Sequence, residues 1–250
     1  MLLYPTILVS VLVTAMLSGV LGMAGGMILM AILVALLPVA TARFLHGAVQ
    51  AFSNGSRAWF LREHIQWRIL PWYAVGSTLA VAAFALLTFV PDPAVVLVLV
   101  GAMPFVARVV PLLGDTALGR LDVTRPTTAV TCGVTVTIAQ LLAGASGPLL
   151  DLFYLHSSLN RHQVVASKAV TQTIGHLLKV GYYGVLVGSV GTLPAWLYAA
   201  SIIAAVTGAR IGTRLLDQVA DAAFRRISGW VILALGAICV VDGVRRLFAG

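Results

Sequence analysis

The sequence predicts an all-α integral membrane protein, with about ten hydrophobic segments in two inverted-topology repeats that carry short broken helices. Three observations predict it. The composition is apolar almost end to end, two unusually short segments fall at matching places in the chain, and the charged loops reverse between its halves.

Sixty per cent of the 250 residues are hydrophobic and 10% are charged, with a mean hydropathy of +1.01. Soluble domains carry roughly a quarter charged residues. A spanning helix needs about 20 apolar residues, and the chain supplies such stretches repeatedly, leaving no room for a sizeable soluble domain. The net charge of +8 comes from 14 Arg and two Lys against eight acidic residues. In a soluble chain that excess would suggest nucleic acid. Here the arginines cluster at the ends of apolar segments, where positive-inside topology and lipid headgroups account for them, so membrane lipid is the expected partner and nucleic acid is not. Cys132 and Cys239 lie in separate apolar runs without metal-type spacing, and neither metal nor cofactor is expected. The first segment lacks the basic flank of a cleavable signal and is expected to be a span.

Hydropathy and Gly/Pro punctuation place the segments at 4–21, 25–37, 42–61, 69–90 and 94–113, then 127–143, 147–157, 163–185, 194–213 and 227–248. This divides the chain into a first transmembrane repeat (1–113), a cytoplasmic linker (114–126) and a second repeat (127–250). The second segment of each half is short and follows a Gly-containing break. At 1.5 Å per residue it cannot cross a core of about 30 Å unaided.

A shift of 122 residues tests for duplication. It sets Gly22 on Gly144, Gly25 on Gly147 and Gln50 on Gln172 without a gap. It also sets His46 on Lys168, Asn54 on His176 and Arg57 on Lys179. Charge then orients the halves. Arg62 and Arg68 lie between segments three and four of the first half, whereas Arg210, Arg214, Arg225 and Arg226 surround the join between segments four and five of the second. Positive-inside placement puts opposite loops of the two halves in the cytoplasm, the pattern of an inverted repeat. Arg120 and Arg125 of the linker also fall inside, while Arg245 and Arg246 run against the arrangement.

The third segments carry the chemistry. His46, Gln50, Asn54 and Arg57 are spaced four, four and three apart, and Lys168, Gln172, His176 and Lys179 repeat that spacing. On a helix each set forms one stripe. A polar stripe facing hydrocarbon is costly, so both are expected to face the protein interior or a water-filled cavity. Their donors, with no acid in either stripe, suit an anion. For single residues a blander account stands beside this one: the cations near helix ends snorkel to headgroups, and the amides bond between helices. The Gly breaks, GMAGG (Gly22 to Gly26) and AGASGP (Ala143 to Pro148), are the second feature. Unwound backbone followed by a helix N-terminus presents N–H groups to an anion; close packing through small residues is the competing account. Asp151 is either a proton carrier or the partner of one of these cations. Trp59, Trp67, Trp72, Trp196 and Trp230 are expected as interfacial anchors. Signatures of hydrolases and P-loop enzymes are absent, and the chain is not expected to be an enzyme.

With SGVLGMAGG (Ser18 to Gly26) before a short segment ending at Pro38, and SKAVTQTIGHLLKVGYYG (Ser167 to Gly184) in the second half, the chain resembles the sulfite exporter TauE/SafE family of bacterial membrane transporters. It departs in having AGASGP as a reduced second turn and His46 where the second half has Lys168. The resemblance implies a multi-pass protein of the bacterial cytoplasmic membrane. It implies movement of sulfite, an organosulfonate or a related small anion, coupled to protons. Alternating access between the halves is the expected mechanism, and an anion channel with the same lining is the alternative.

Overall fold

A computed structural model describes residues 2–21, 25–87, 94–95, 97–99, 101–102, 105, 122–143, 146–155, 157–181 and 193–249. These residues are all-helical, with no strand among them. The helices are α1 (Leu3–Leu21), α2 (Gly25–Leu36), α3 (Val39–Phe60), α4 (Leu70–Leu87), α5 (Pro126–Ala143), α6 (Gly147–Leu155), α7 (Arg161–Gly181), α8 (Ala195–Leu216) and α9 (Asp221–Ala249). Two 3₁₀ turns, Arg62–His64 and Trp67–Ile69, lead from α3 into α4. The short segments expected at 25–37 and 147–157 are α2 and α6. The segment expected at 94–113 is helical at its few described positions, and its remainder, like residues 114–121 of the linker, lies outside the described residues. So do Gly22 and Gly144.

Local chemistry sets the helix starts. Pro5, Pro71, Pro126 and Pro148 stand in first turns, where a missing N–H breaks no helical bond, and Pro38 and Pro194 are the N-caps of α3 and α8. The start of α7 is fixed by a reciprocal cap: Gln163 N–H donates to Asn160 Oδ1 at 3.0 Å, and Asn160 N–H donates to Gln163 Oε1 at 3.1 Å. α1, α8 and residues 222–248 of α9 are each long and apolar enough to cross a membrane.

The chain divides into two compact units, each drawing on both halves of the sequence: residues 1–65 with 165–220, and residues 66–164 with 221–250. In the first unit, Ile7, Val11, Ala15, Leu29, Leu33, Leu45, Val49 and Ala205 form the apolar core. α1 and α8 run parallel. Tyr4 meets Trp196 edge-on at 5.4 Å near their starts, and Gly19 faces Gly212 near their ends. A Cβ at Gly212 would enter the backbone of Met16, and one at Gly208 that of Leu12. Glycine is what permits this approach, since helices in lipid associate by close packing rather than by the hydrophobic effect. α3 shares their direction: Phe44 near its start meets Tyr198, and Arg57 near its end reaches Ser18 near the end of α1. α7 runs the other way, because Gly47 of α3 lies against Val180 and Gly55 against Thr173.

The second unit contains α4, α5, α6 and α9. Gly76 and Gly133 face one another's helices across the α4–α5 crossing, beside buried Tyr73, Ser77, Cys132 and Thr137. Ala94, Val98 and Gly101 lie against α9, with Gly101 over Gly236 and Gly243 over Ala94 and Val98.

Candidate functional site

The two polar stripes belong to α3 and α7, and both lie in the first unit. Membership follows from spacing, since four-, four- and three-residue steps return to the same side of a helix. The antiparallel approach of α3 and α7 sets the stripes head to tail. Arg57 is 1% exposed, and Lys168 and Lys179 are 0% exposed. These cations are enclosed by protein and do not reach the surface as snorkelling cations do.

At one end of the paired stripes, Lys179 Nζ lies 2.8 Å from His46 Nδ1, and His46 Nε2 lies 2.7 Å from the Gly26 carbonyl oxygen in the first turn of α2. A carbonyl only accepts, so Nε2 carries the proton, and Nδ1 accepts from the Lys179 ammonium. The imidazole is therefore neutral in this arrangement. His176 stacks edge-on against His46 with ring centroids 5.4 Å apart.

At the other end, Arg57 Nη1 donates to the Ser18 carbonyl and Nη2 to Asn54 Oδ1. Ser18 lies in the last turn of α1, where carbonyls lack helical partners and a cation is favoured. Asn54 in turn donates to Gln50 Oε1 at 3.5 Å. Arg57 Nε and Gln50 Nε2 are buried and have no partner among the described residues, and the same holds for Gln172 Oε1 and the Ser53 hydroxyl. Lys168 is within electrostatic reach of Arg57. The acidic residues of this unit, Glu63 and Asp217, are both exposed.

The structure thus brings His46, His176 and Lys179 together, and Gln50, Asn54 and Arg57 together. Gln172 is half-buried on the same helix as Lys168. Gly25 opens α2 against α1, and an added Cβ would enter the Thr14 carbonyl and the Ser18 hydroxyl; its observed role is close packing. Gly147 opens α6 in the second unit, half-buried, beside Ser146, whose hydroxyl donates to Gln140 Oε1 at 2.8 Å. Asp151 is fully buried on α6. The five Trp expected as anchors are exposed, and Arg62 stacks over Trp59 at 5.0 Å. Sequence reasoning does not single out the carbonyls of Ser18 and Gly26 as partners. Backbone acceptors carry no residue-type signature, and the one available hint is that Ser18 precedes the first Gly break and Gly26 ends it.

No curated protein and no solved structure matches this chain. Residues 7–238 match the family described as Sulfite exporter TauE/SafE. That match spans nearly all of a chain in which three of the described helices are long and apolar enough to cross a membrane and whose buried stripes are cationic. The protein belongs to the sulfite exporter TauE/SafE family of membrane transporters.

Proposed function

We propose that this protein is a multi-pass secondary transporter of the bacterial cytoplasmic membrane. It carries sulfite, an organosulfonate or a related sulfur-containing anion by alternating access, coupled to protons. The observation that carries the reading is Arg57. Its guanidinium is enclosed, its described partners are a carbonyl and an amide oxygen, and its Nε has none. Burying a charge without a counter-charge costs several kcal/mol. An oxyanion seated against Nε, with Lys168 near and the amides of Gln50 and Gln172 to orient it, offsets that cost with charge-assisted hydrogen bonds.

Helix directions support the inverted repeat. Parallel α1, α3 and α8 with antiparallel α7 fit a count in which each short segment makes a pass, since re-entrant short segments would leave α3 and α7 parallel. The residue matching agrees. Moved by 122 residues, His46 and Arg57 become Lys168 and Lys179, so the His46–Lys179 contact maps onto Lys168–Arg57. A two-fold axis across two antiparallel helices produces such an exchange, and alternating access follows when the halves swap conformations.

The test is sulfite flux in proteoliposomes. Arg57→Gln is expected to lower flux by about tenfold or more, the equivalent of losing one charge-assisted contact of about 1.4 kcal/mol. Unchanged flux and unchanged saturation would overturn the site. Flux that never saturates and ignores an imposed proton gradient would favour the channel.

A further inference from the structure

Gln50, Ser53 and Arg57 of α3 each keep a buried donor with no acceptor among the described residues, and the hydrogen bonds beside them show why. Arginine only donates. Arg57 Nη2 therefore meets Asn54 by its Oδ1, which turns Asn54 Nδ2 to Gln50 Oε1 at 3.5 Å. Gln50 is left with Nε2 as its free end, and Arg57 with Nε. The third donor is the hydroxyl of Ser53, a residue 0% exposed that the spacing of the stripe did not include. Hydroxyls on helices often return to a backbone carbonyl one turn earlier. Ser56 donates to the Ser53 carbonyl at 3.0 Å, Thr171 to Lys168 at 2.9 Å and Thr173 to Ala169 at 2.7 Å. Ser53 makes no such bond.

The three donors share one face of α3. At about 100° per residue, Arg57 stands roughly 20° from Gln50 around the helix, with Ser53 about 60° to that same side and Asn54 about 40° to the other. Ser53 comes three residues after Gln50 and four before Arg57, the spacings at which helix side chains meet. A short side chain thus lies between two long ones. Gly26, across from the Gln50 amide, has no side chain to cover it, and an added Cβ would stand 3.5 Å from Nε2. We propose that Ser53 is the specificity residue of the anion site: Gln50 Nε2, Ser53 Oγ and Arg57 Nε form a three-donor seat that selects an anion head with three terminal oxygens over one with two. This rests on the reading of the chain as an anion transporter and narrows its substrate by the shape of the head group.

The selection follows from what each head leaves unpaired. Sulfite and a sulfonate both present three oxygens on one side of sulfur, and the remaining position, a lone pair or a carbon substituent, points away from α3. Such a head gives every donor an acceptor. A carboxylate is planar and has two oxygens, so one buried donor stays unpaired when it binds, and an unpaired buried donor is costly. A site built to hydrogen-bond a group rejects an analogue lacking that group far more strongly than an apolar pocket does. Arg57 attracts either anion by charge. The Ser53 hydroxyl, uncharged and committed to no backbone carbonyl, adds to the discrimination by counting oxygens.

The experiment uses the full chain in proteoliposomes and reads counterflow, the exchange of labelled for unlabelled sulfite at equal pH, against protein-free vesicles. Methanesulfonate and acetate are the competitors, since they share a charge and a methyl group and differ in the head. In the unmodified chain methanesulfonate is expected to inhibit at a concentration lower than acetate by about tenfold or more. Ser53→Ala removes one oxygen atom and leaves the Arg57–Asn54–Gln50 chain in place. Expected is inhibition by methanesulfonate weakened by about tenfold, with inhibition by acetate unchanged. An unchanged preference in folded Ser53→Ala overturns the inference, and so does equal weakening of both competitors, which makes Ser53 structural. Loss of all counterflow in the folded variant also overturns it, by making Ser53 essential to movement. Where Ser53→Ala does not fold, the unmodified chain decides: a tenfold preference supports the three-donor seat, and equal inhibition by the two anions overturns it. Absence of sulfite counterflow in the unmodified chain rejects the transporter reading itself.

Discussion

Arg57 shows how a single side chain links fold and function. Two of its donors reach the Ser18 carbonyl at the end of α1 and Asn54 Oδ1, while Nε is buried with no partner among the described residues, and the proposed anion would bind there. Lysine carries the same charge but lacks the planar fork. Arg57→Lys is therefore expected to raise the sulfite dissociation constant by about tenfold or more, since an ammonium cannot serve Ser18, Asn54 and an anion together. Calorimetric titration of the purified protein checks this, and an unchanged constant would show that geometry at Arg57 is irrelevant. All eight stripe residues were legible from spacing and the 122-residue match. Their partners were not. The Ser18 and Gly26 carbonyls become acceptors only where folding brings α1 and α2 alongside α3.

Among the elements, glycine decides how closely helices approach. At the α1–α8 crossing a side chain on Gly212 has no space, as Met16 and Gly19 backbone fill it. Gly212→Leu is expected to destabilise the protein by about 1–3 kcal/mol or more through overpacking, read as a lower melting temperature in detergent. Gly229 on α9 is the control, since a Cβ there meets nothing within 4 Å. Gly229→Ala is expected to hold or raise stability by up to about 1 kcal/mol through helix propensity. A fall equal to that of Gly212→Leu would refute the packing argument. Helix positions were readable because apolar runs, prolines and the Asn160–Gln163 cap are local signals. Which glycines sit at crossings was not, because that depends on a second helix far away in sequence.

For the whole molecule, the compact units interleave the chain, α1, α2 and α3 joining most of α7 and all of α8. The inverted repeat proposed for the two halves predicts the sidedness of loops. Single cysteines at Gln66 and Val219, in a chain with Cys132 and Cys239 replaced, are expected to react with an impermeant reagent from the same, cytoplasmic side. A cysteine at Leu193 is expected to react from the other. Labelling of all three from one side would reject the inverted arrangement. The native cysteines are buried, and replacing each by alanine removes a single sulfur atom, a small volume change.

The sequence by itself determined the membrane class, the helix positions, the two short segments and the matched polar stripes. Each is written in hydropathy, spacing or punctuation along one stretch of chain. Tertiary structure alone decided that the stripes run antiparallel, that Arg57 closes α1, and that Lys179 meets His46 beneath the first turn of α2. Those contacts join residues as many as 133 positions apart, and no local pattern encodes which ends of two helices lie together. The physical reason is burial. A cation inside the protein has to find acceptors, and only the packed helices determine which carbonyl, amide or imidazole is within reach.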